Sequence, residues 1–183
     1  MKFIATPLAG CYILEPQVIL DERGYFMESF NEETFQAGTG QAVHFVQDNQ
    51  SYSSKGVLRG LHYQVGEHAQ AKLVRVLSGA VRDVVVDIRP ESPTFGQHVA
   101  VELSAENQRQ FFVPRGFAHG FLVLSDTATF FYKCDNFYNK ASEGGIAYND
   151  PALAIDWQFD TASLCVSQKD QVQPLLADAR PVW

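Results

Sequence analysis

What the chain lacks narrows the field first. Its 183 residues include only three cysteines, Cys11, Cys134 and Cys165, and no CxxC pair. An odd, scattered set excludes a disulfide framework and a thiolate metal site, and leaves free thiols expected to be mostly buried. No apolar run nears the roughly 18 residues that mark a membrane span. Met1–Gly10 lacks the basic start, apolar stretch and small-residue cleavage site of a signal peptide, so a cytoplasmic setting is expected. Basic residues are in deficit, 14 Lys and Arg against 21 Asp and Glu, for a net charge of -7. A nucleic-acid partner is therefore excluded, because phosphate backbones select basic faces. A small phosphorylated ligand is not, since a few Arg and Lys in one cleft can hold a diphosphate. Repeats, low-complexity tracts and linkers are also absent, which predicts a single domain over residues 1–183. With 46% hydrophobic and 19% charged residues, that domain can bury a sizeable core.

What is present is β-rich. The segments Val43–Gln47, Val57–Gln64, Lys72–Leu77, Val81–Ile88, His98–Leu103, Gln110–Val113, Phe117–Leu124 and Thr127–Cys134 read as strands. Between them stand turn residues such as Ser53-Ser54-Lys55-Gly56, Ser78-Gly79 and Pro114–Gly116. Many short strands at this spacing predict an all-β sandwich or barrel. Two short peripheral helices are expected. One is capped by Asn31 and runs through Ala37, stopped by Gly38; the other opens at Ser167. Cys11–Leu20, Asp21–Gly24 and Tyr25–Phe30 read as an N-terminal hairpin outside the main barrel.

Strand parity carries the chemistry. Ala128, Phe130, Tyr132 and Cys134 share one face, which points a tyrosine into the barrel. Leu58, Gly60, His62 and Gln64 share a face that excludes Arg59. For Arg59 and His62 to serve one cavity, the strand needs an irregularity, and Gly60 is where a bulge is tolerated. Of five histidines, His62 and His119 stand in informative contexts. Gly56-x5-His62-x-Gln64 and Pro114-x-Gly116-x2-His119 are similar to the two motifs of the cupin superfamily. A metal-binding cupin carries histidine where this chain has Gln64, and Glu67 comes too early to complete a ligand set. No metal is expected; the imidazole is left free for proton transfer.

Longer segments sharpen the resemblance. Leu20–Phe30, Phe45-Val46-Gln47-Asp48-Asn49, Val57–Gln64, Lys72–Arg75, Val86–Arg89, Pro114–Leu124 and Ala154–Trp157 resemble the dTDP-4-dehydrorhamnose 3,5-epimerase family over nearly the whole chain. That family implies a cupin-like jelly-roll barrel, no cofactor, and a dTDP-sugar substrate, dTDP-4-dehydro-6-deoxy-D-glucose, inverted at C3 and C5. The C4 keto group acidifies both C–H bonds. Each inversion needs a base on one face, an acid on the other, and positive charge near the keto oxygen.

By resemblance, His62 is the base. An imidazole suits the task, with an unperturbed pKa of about 6.5. Asp170 orients it, and read alone would be a helix-capping residue. Tyr132 is the acid, a phenol of ordinary pKa about 10. Lys72 is the cation beside the C4 oxygen, and Asp83 is expected to hold Lys72 or a histidine. Gln47, Asp48 and Asn49 match a segment contacting sugar and nucleotide, and Arg59 a diphosphate contact. His119, Lys169 and Glu143 match further ligand contacts; Phe121 and Tyr138 are expected to line the sugar pocket. Arg23, Phe26 and Glu28 match residues lent to a neighbour's thymidine site, which implies a homodimer. The chain departs from the family at Gln50, often a histidine there, and in the variable loop Asn136–Gly144. The rival reading is a mono-epimerase acting at C3 or C5 alone, which would share His62, Asp170 and Tyr132.

Overall fold

The computed structural model describes all residues, Met1–Trp183. In chain order the strands are β1 Lys2–Ala5, β2 Tyr12–Glu15, β3 Ile19–Asp21, β4 Gly24–Phe26, β5 Gln47–Ser54, β6 Val57–Gln64, β7 Lys72–Ser78, β8 Ala80–Asp87, β9 His98–Ser104, β10 Gln110–Val113, β11 Phe117–Val123, β12 Thr127–Cys134, β13 Glu143–Gly145 and β14 Cys165–Val166. Two short helices join them, α1 Glu32–Thr39 and α2 Gln168–Gln171. One sheet runs β1-β2-β10-β7-β12-β5 and the other β13-β6-β11-β8-β9, with β14 added beside β6. This is the all-β, cupin-like jelly roll expected from the sequence. The barrel is not closed by a hydrogen-bonded ladder, however. The two sheets share no strand and are joined through the side chains packed between them.

Alternation along the strands builds that interior. Val74 and Val76 of β7, Val81 and Val85 of β8, and Phe130 of β12 belong to one buried cluster. The intervening Val84 and Val86 belong to a second, which also contains Ile146, Leu153, Trp157 and Val182 from the C-terminal segments. A third cluster packs Phe35 of α1 against Phe112, ring centroids 4.8 Å apart and edge-on. The aromatic pair adds about 0.5–1.5 kcal/mol beyond the area it buries.

Several elements differ from the sequence reading, each for a local reason. Val43–Gln47 is not a strand: its apolar residues Val43 and Phe45 turn inward to pack around Phe35. The strand is instead Gln47–Ser54, too polar to show alternation, so Ser53-Ser54 ends it rather than forming the turn. The helix α1 starts as expected, with the Asn31 side chain accepting from Thr34 N, but it continues past Gly38 to a cap at Gly40, where φ is 71°. Gly38 answers a different need, because a Cβ there would lie 2.2 Å from the Phe3 ring. The N-terminal run also splits. Tyr12–Glu15 pairs with β1 and β10 inside the first sheet, and only β3 and β4 form the separate hairpin. Cys11 and Cys134 are buried, but Cys165 is exposed, because β14 lies at the rim of a cavity.

The loop after β8 is tied to one buried carboxylate. Asp87 accepts from Arg89 Nη2 at 2.6 Å, Ser92 Oγ at 2.6 Å and Thr94 Oγ1 at 2.6 Å. Burial alone would raise its pKa, but these donors outweigh that and lower it to about 2. The unfolded carboxylate binds its proton more readily, so this stabilisation is complete above pH ~4 and lost as the pH falls towards ~2. Asp87→Asn is expected to cost about 2 kcal/mol at pH 7 and to flatten the stability loss between those pH values. Denaturant midpoints at pH 7 and pH 3 measure both effects.

Candidate active site

The site is built where β6 and β11 come unusually close. A Cβ on Gly60 would lie 2.5 Å from Gly120 Cα, so both positions need glycine. Gly60 sits at φ 139°, and the β6–β11 register shifts between His119 and Phe121. This is the irregularity expected at Gly60. It changes the parity of β6 in mid-strand, leaving Leu58 and Leu61 in the outer cluster while Arg59 and His62 both open into one cavity.

That cavity, about 650 Å³, lies between the two sheets. From the second sheet come Arg59, His62, His119 and Phe121; from the first come Asn49, Lys72 and Tyr132; from the C-terminal segment come Lys169 and Asp170. An adjoining cavity of about 130 Å³ shares His62, Lys72, Tyr132 and Lys169, and adds Tyr138 and Glu143. A separate apolar cavity of about 310 Å³ under the C-terminal tail brings together Glu91 and Arg180 but no histidine. Proton chemistry belongs to the first.

His62 Nε2 lies 2.6 Å from Asp170 Oδ1, and Gly60 N donates to Asp170 Oδ2 at 3.4 Å. Asp170 is placed by α2, where the Ser167 side chain caps the helix by accepting from Asp170 N at 3.1 Å. Burial opposes ionisation of Asp170, but its bonds to His62, Gly60 and Ser167 prevail and hold its pKa below the ordinary range. An ionised carboxylate here fixes the imidazole orientation and stabilises its protonated form. The cap is therefore the Ser167 side chain; Asp170 gives it only a backbone N–H and turns its carboxylate to His62.

Tyr132 stands in the opposite sheet. Burial, reinforced by Cys134, pushes its hydroxyl up to about 12, so it stays protonated and able to donate. Lys72 Nζ sits 5.8 Å from the Tyr132 ring centroid. Burial lowers the Lys72 pKa, while Cys134 and Asp83 oppose the fall. Asp83 is buried, shares the inward parity of Val81 and Val85, and accepts from His119 at 2.8 Å. Of the two partners considered for it, histidine makes the hydrogen bond and Lys72 the longer-range interaction. No three His, Cys, Asp or Glu side chains converge closely enough to hold a metal ion.

The remaining expected residues divide. Arg59 Nε donates to Ser53 Oγ at 3.1 Å, which steadies its guanidinium at the cavity wall. Phe121 stacks on Phe130, centroids 4.0 Å apart. Lys169 donates to Glu143 at 2.7 Å and Tyr138 donates to the same carboxylate at 2.9 Å, spanning the cavity mouth. Gln47 steadies this loop by accepting from Tyr138 N at 3.0 Å. Asp48, one residue on, takes the opposite face of β5 and pairs with Lys133, so this chain does not bring it into the cavity. Nor does it bring in Arg23, Phe26 and Glu28. Arg23 pairs with Asp21, Phe26 is 69% exposed on the β3–β4 hairpin, and Glu28 accepts from Asn31.

Sequence reasoning missed Gln50, Ser51, Val57, Leu58, Phe130, Cys165, Val166 and Ser167 as lining residues. Phe130 had a signal, the face it shares with Tyr132; β14 is two residues long and had none. Gln64, at the position of a cupin's second histidine, accepts from Asn139 N at 2.9 Å and so anchors the 136–143 loop.

Comparison with known proteins agrees with this geometry. The family model described as dTDP-4-dehydrorhamnose 3,5-epimerase matches residues 5–178. The chain is 55% identical to the dTDP-4-dehydrorhamnose 3,5-epimerase of Salmonella typhimurium, over 98% of this chain and 97% of that protein. A crystal structure of the Elizabethkingia anophelis epimerase superimposes with a TM-score of 0.94 at 61% identity, covering 97% of each chain. The Legionella pneumophila dTDP-6-deoxy-D-glucose-3,5-epimerase, solved in complex with dTDP-4-keto-L-rhamnose, gives a TM-score of 0.93 at 52% identity, covering 97% of this chain and 93% of that one. Fold, cavity and sequence agree: this chain belongs to the dTDP-4-dehydrorhamnose 3,5-epimerase family.

Proposed function

We propose that this protein converts dTDP-4-dehydro-6-deoxy-D-glucose to dTDP-4-dehydro-L-rhamnose by inverting C3 and C5 in turn, as one 1–183 domain. The observation that carries the reading is a single cavity containing an imidazole paired with a buried carboxylate, a phenol held protonated and a half-buried ammonium. His62 removes the proton beside the C4 keto group. Lys72 offsets the charge that develops on the C4 oxygen. Tyr132 delivers a proton to the opposite face of the carbanion. The substrate is neither oxidised nor reduced overall, so the reaction needs no redox partner. Arg59 and Lys169 suit the diphosphate, Arg59 through its planar fork of donors. Gln47, Asn49, Tyr138 and Glu143 suit the sugar and nucleotide.

The enzyme acts as a homodimer on this reading. The hairpin leaves Leu20 and Phe26 exposed at 77% and 69%, and Arg75 on the first sheet buries Nε and Nη1 without hydrogen-bond partners. Buried unpaired donors are costly, and a neighbour's acceptors would satisfy them. Arg23, Phe26 and Glu28 then serve the neighbouring subunit. A cytoplasmic location fits a charged nucleotide-sugar substrate, and no helix is long and apolar enough to cross a membrane.

The test is deuterium incorporation from D2O into the authentic substrate. Labelling at both C3 and C5 is expected; labelling at one carbon would replace this reading with a mono-epimerase. Lys72 supplies a second check. Lys72→Met is expected to lower kcat roughly 10²–10³-fold, the usual cost of removing one oxyanion-stabilising group. Because burial lowers the Lys72 pKa from 10.5, the wild-type rate should fall below the ordinary lysine range, well before Tyr132 ionises. The residual activity of Lys72→Arg should persist to higher pH; an unmoved alkaline limb would exclude Lys72 as its origin.

A further inference from the structure

Residues 135–142 carry the chain from β12 in the first sheet to β13 in the second, across the cavity mouth. A glutamine from each sheet holds this crossing. Gln47 of β5 accepts from Tyr138 N at 3.0 Å, and Gln64 of β6 accepts from Asn139 N at 2.9 Å. Only the oxygen of an amide can accept from a backbone N–H, so each side chain is fixed with Oε1 on the loop and Nε2 as its free end. There the two differ. Gln47 Nε2 donates to Asn49 Oδ1 at 3.2 Å, so that amide is spent. Gln64 makes no side-chain hydrogen bond beyond the one from Asn139 N, although it is only 6% exposed. A buried amide with both N–H groups idle is unusual. Its Nε2 is also not sealed inside protein: the enclosed side-chain atoms without partners are Arg75 Nε and Nη1 and Asp83 Oδ1. Nε2 therefore opens onto the cavity of about 130 Å³ that Gln64 lines together with His62, Lys72 and Tyr132. Gln64 lies two residues after His62 on β6, which puts both on one face of the strand.

We infer that Gln64 Nε2 donates a hydrogen bond to the C4 oxygen of the bound sugar, as a second donor beside Lys72; the inference rests on the roles proposed above for His62 and Lys72. The C4 oxygen is the substrate atom on which charge grows as either neighbouring C–H bond breaks. An oxygen carrying that charge accepts more than one hydrogen bond. A donor already oriented by the loop needs no rearrangement as the charge develops, which is how such groups lower a barrier. The amide is neutral, so it remains a donor whatever the protonation state of Lys72. On this account Gln64 has two duties: its oxygen holds the mouth loop, and its nitrogen touches the substrate.

The C4 carbonyl stretch reads this hydrogen bond directly. The authentic dTDP-sugar, isotopically labelled at C4, would be bound to His62→Asn protein, where it does not turn over, and its infrared band recorded. Adding Gln64→Met is expected to raise the frequency, because one hydrogen bond to the oxygen is lost. In otherwise wild-type protein the same substitution is expected to lower kcat roughly 10²-fold, the usual cost of one oxyanion donor. An unmoved band would overturn the inference even if kcat fell, because a glutamine that only holds the loop alters the mouth and not the carbonyl. If Gln64→Met does not fold, Gln64→Glu keeps an acceptor for Asn139 N, removes the donor, and is judged by the same band. Lys72→Met in the same background tests the underlying reading separately. A band that moves for Lys72→Met alone leaves that reading standing and excludes Gln64; a band that moves for neither overturns both.

Discussion

His62→Asn is expected to lose proton exchange at both C3 and C5, with kcat falling roughly 10²–10⁴-fold, the span of a positioned acid–base group. One base serves both carbons, so neither label should persist. Asparagine is the informative replacement because its amide can still donate to Asp170. Alanine would leave that buried carboxylate, which now lies 2.6 Å from His62 Nε2, without its main partner, at a cost of about 1–3 kcal/mol. The two variants separate chemistry from folding. His62→Asn should unfold near the wild-type midpoint yet be inactive, whereas His62→Ala should be inactive and less stable. Exchange at either carbon at a rate near wild type in the folded Asn variant would remove His62 as the base.

Tyr132→Phe is expected to behave differently, because it leaves the base intact and removes the donor. Proton abstraction continues, and the carbanion is reprotonated mostly by the group that deprotonated it. The label is then washed into recovered substrate with its configuration retained, while inverted product falls roughly 10²-fold or more. Wild-type Tyr132 should show no ionisation across the working pH range, because burial first and Cys134 second push its hydroxyl up to about 12. Unchanged product formation by Tyr132→Phe would exclude it as the acid. Phe130, one turn of the pleat away on the same face and stacked on Phe121, keeps the wall in place when the hydroxyl is removed.

The two results read different faces of the sugar. Base loss abolishes both labels, and acid loss uncouples labelling from inversion. These patterns do not overlap, so each residue can be tested without assuming the others.

Much of the fold was legible because apolar alternation at period two is local. It placed Val57–Gln64, Gln110–Val113 and Thr127–Cys134 at their observed bounds. It failed at Gln47–Ser54, where an edge strand is polar on both faces. The apolar run just before it packs under α1, and only the packing partner decides that. Gly60 was legible as an irregularity because two functional residues of opposite parity required one. Gly38 was misread as a stop because the Phe3 ring that demands a glycine there is 35 positions away in the chain.

The sequence alone determined the family and the jelly-roll class, through contiguous segments that resemble that family, and by the same resemblance it named His62, Tyr132 and Lys72 as the candidate imidazole, phenol and ammonium. Only the tertiary structure decided that Asp83 pairs with His119, that Asp48 faces Lys133 instead of the cavity, and that Asp170 reaches His62 across 108 residues. Those outcomes depend on which strands become neighbours and how two sheets face each other. The cooperative packing of the whole chain sets these distances, and no local pattern encodes them.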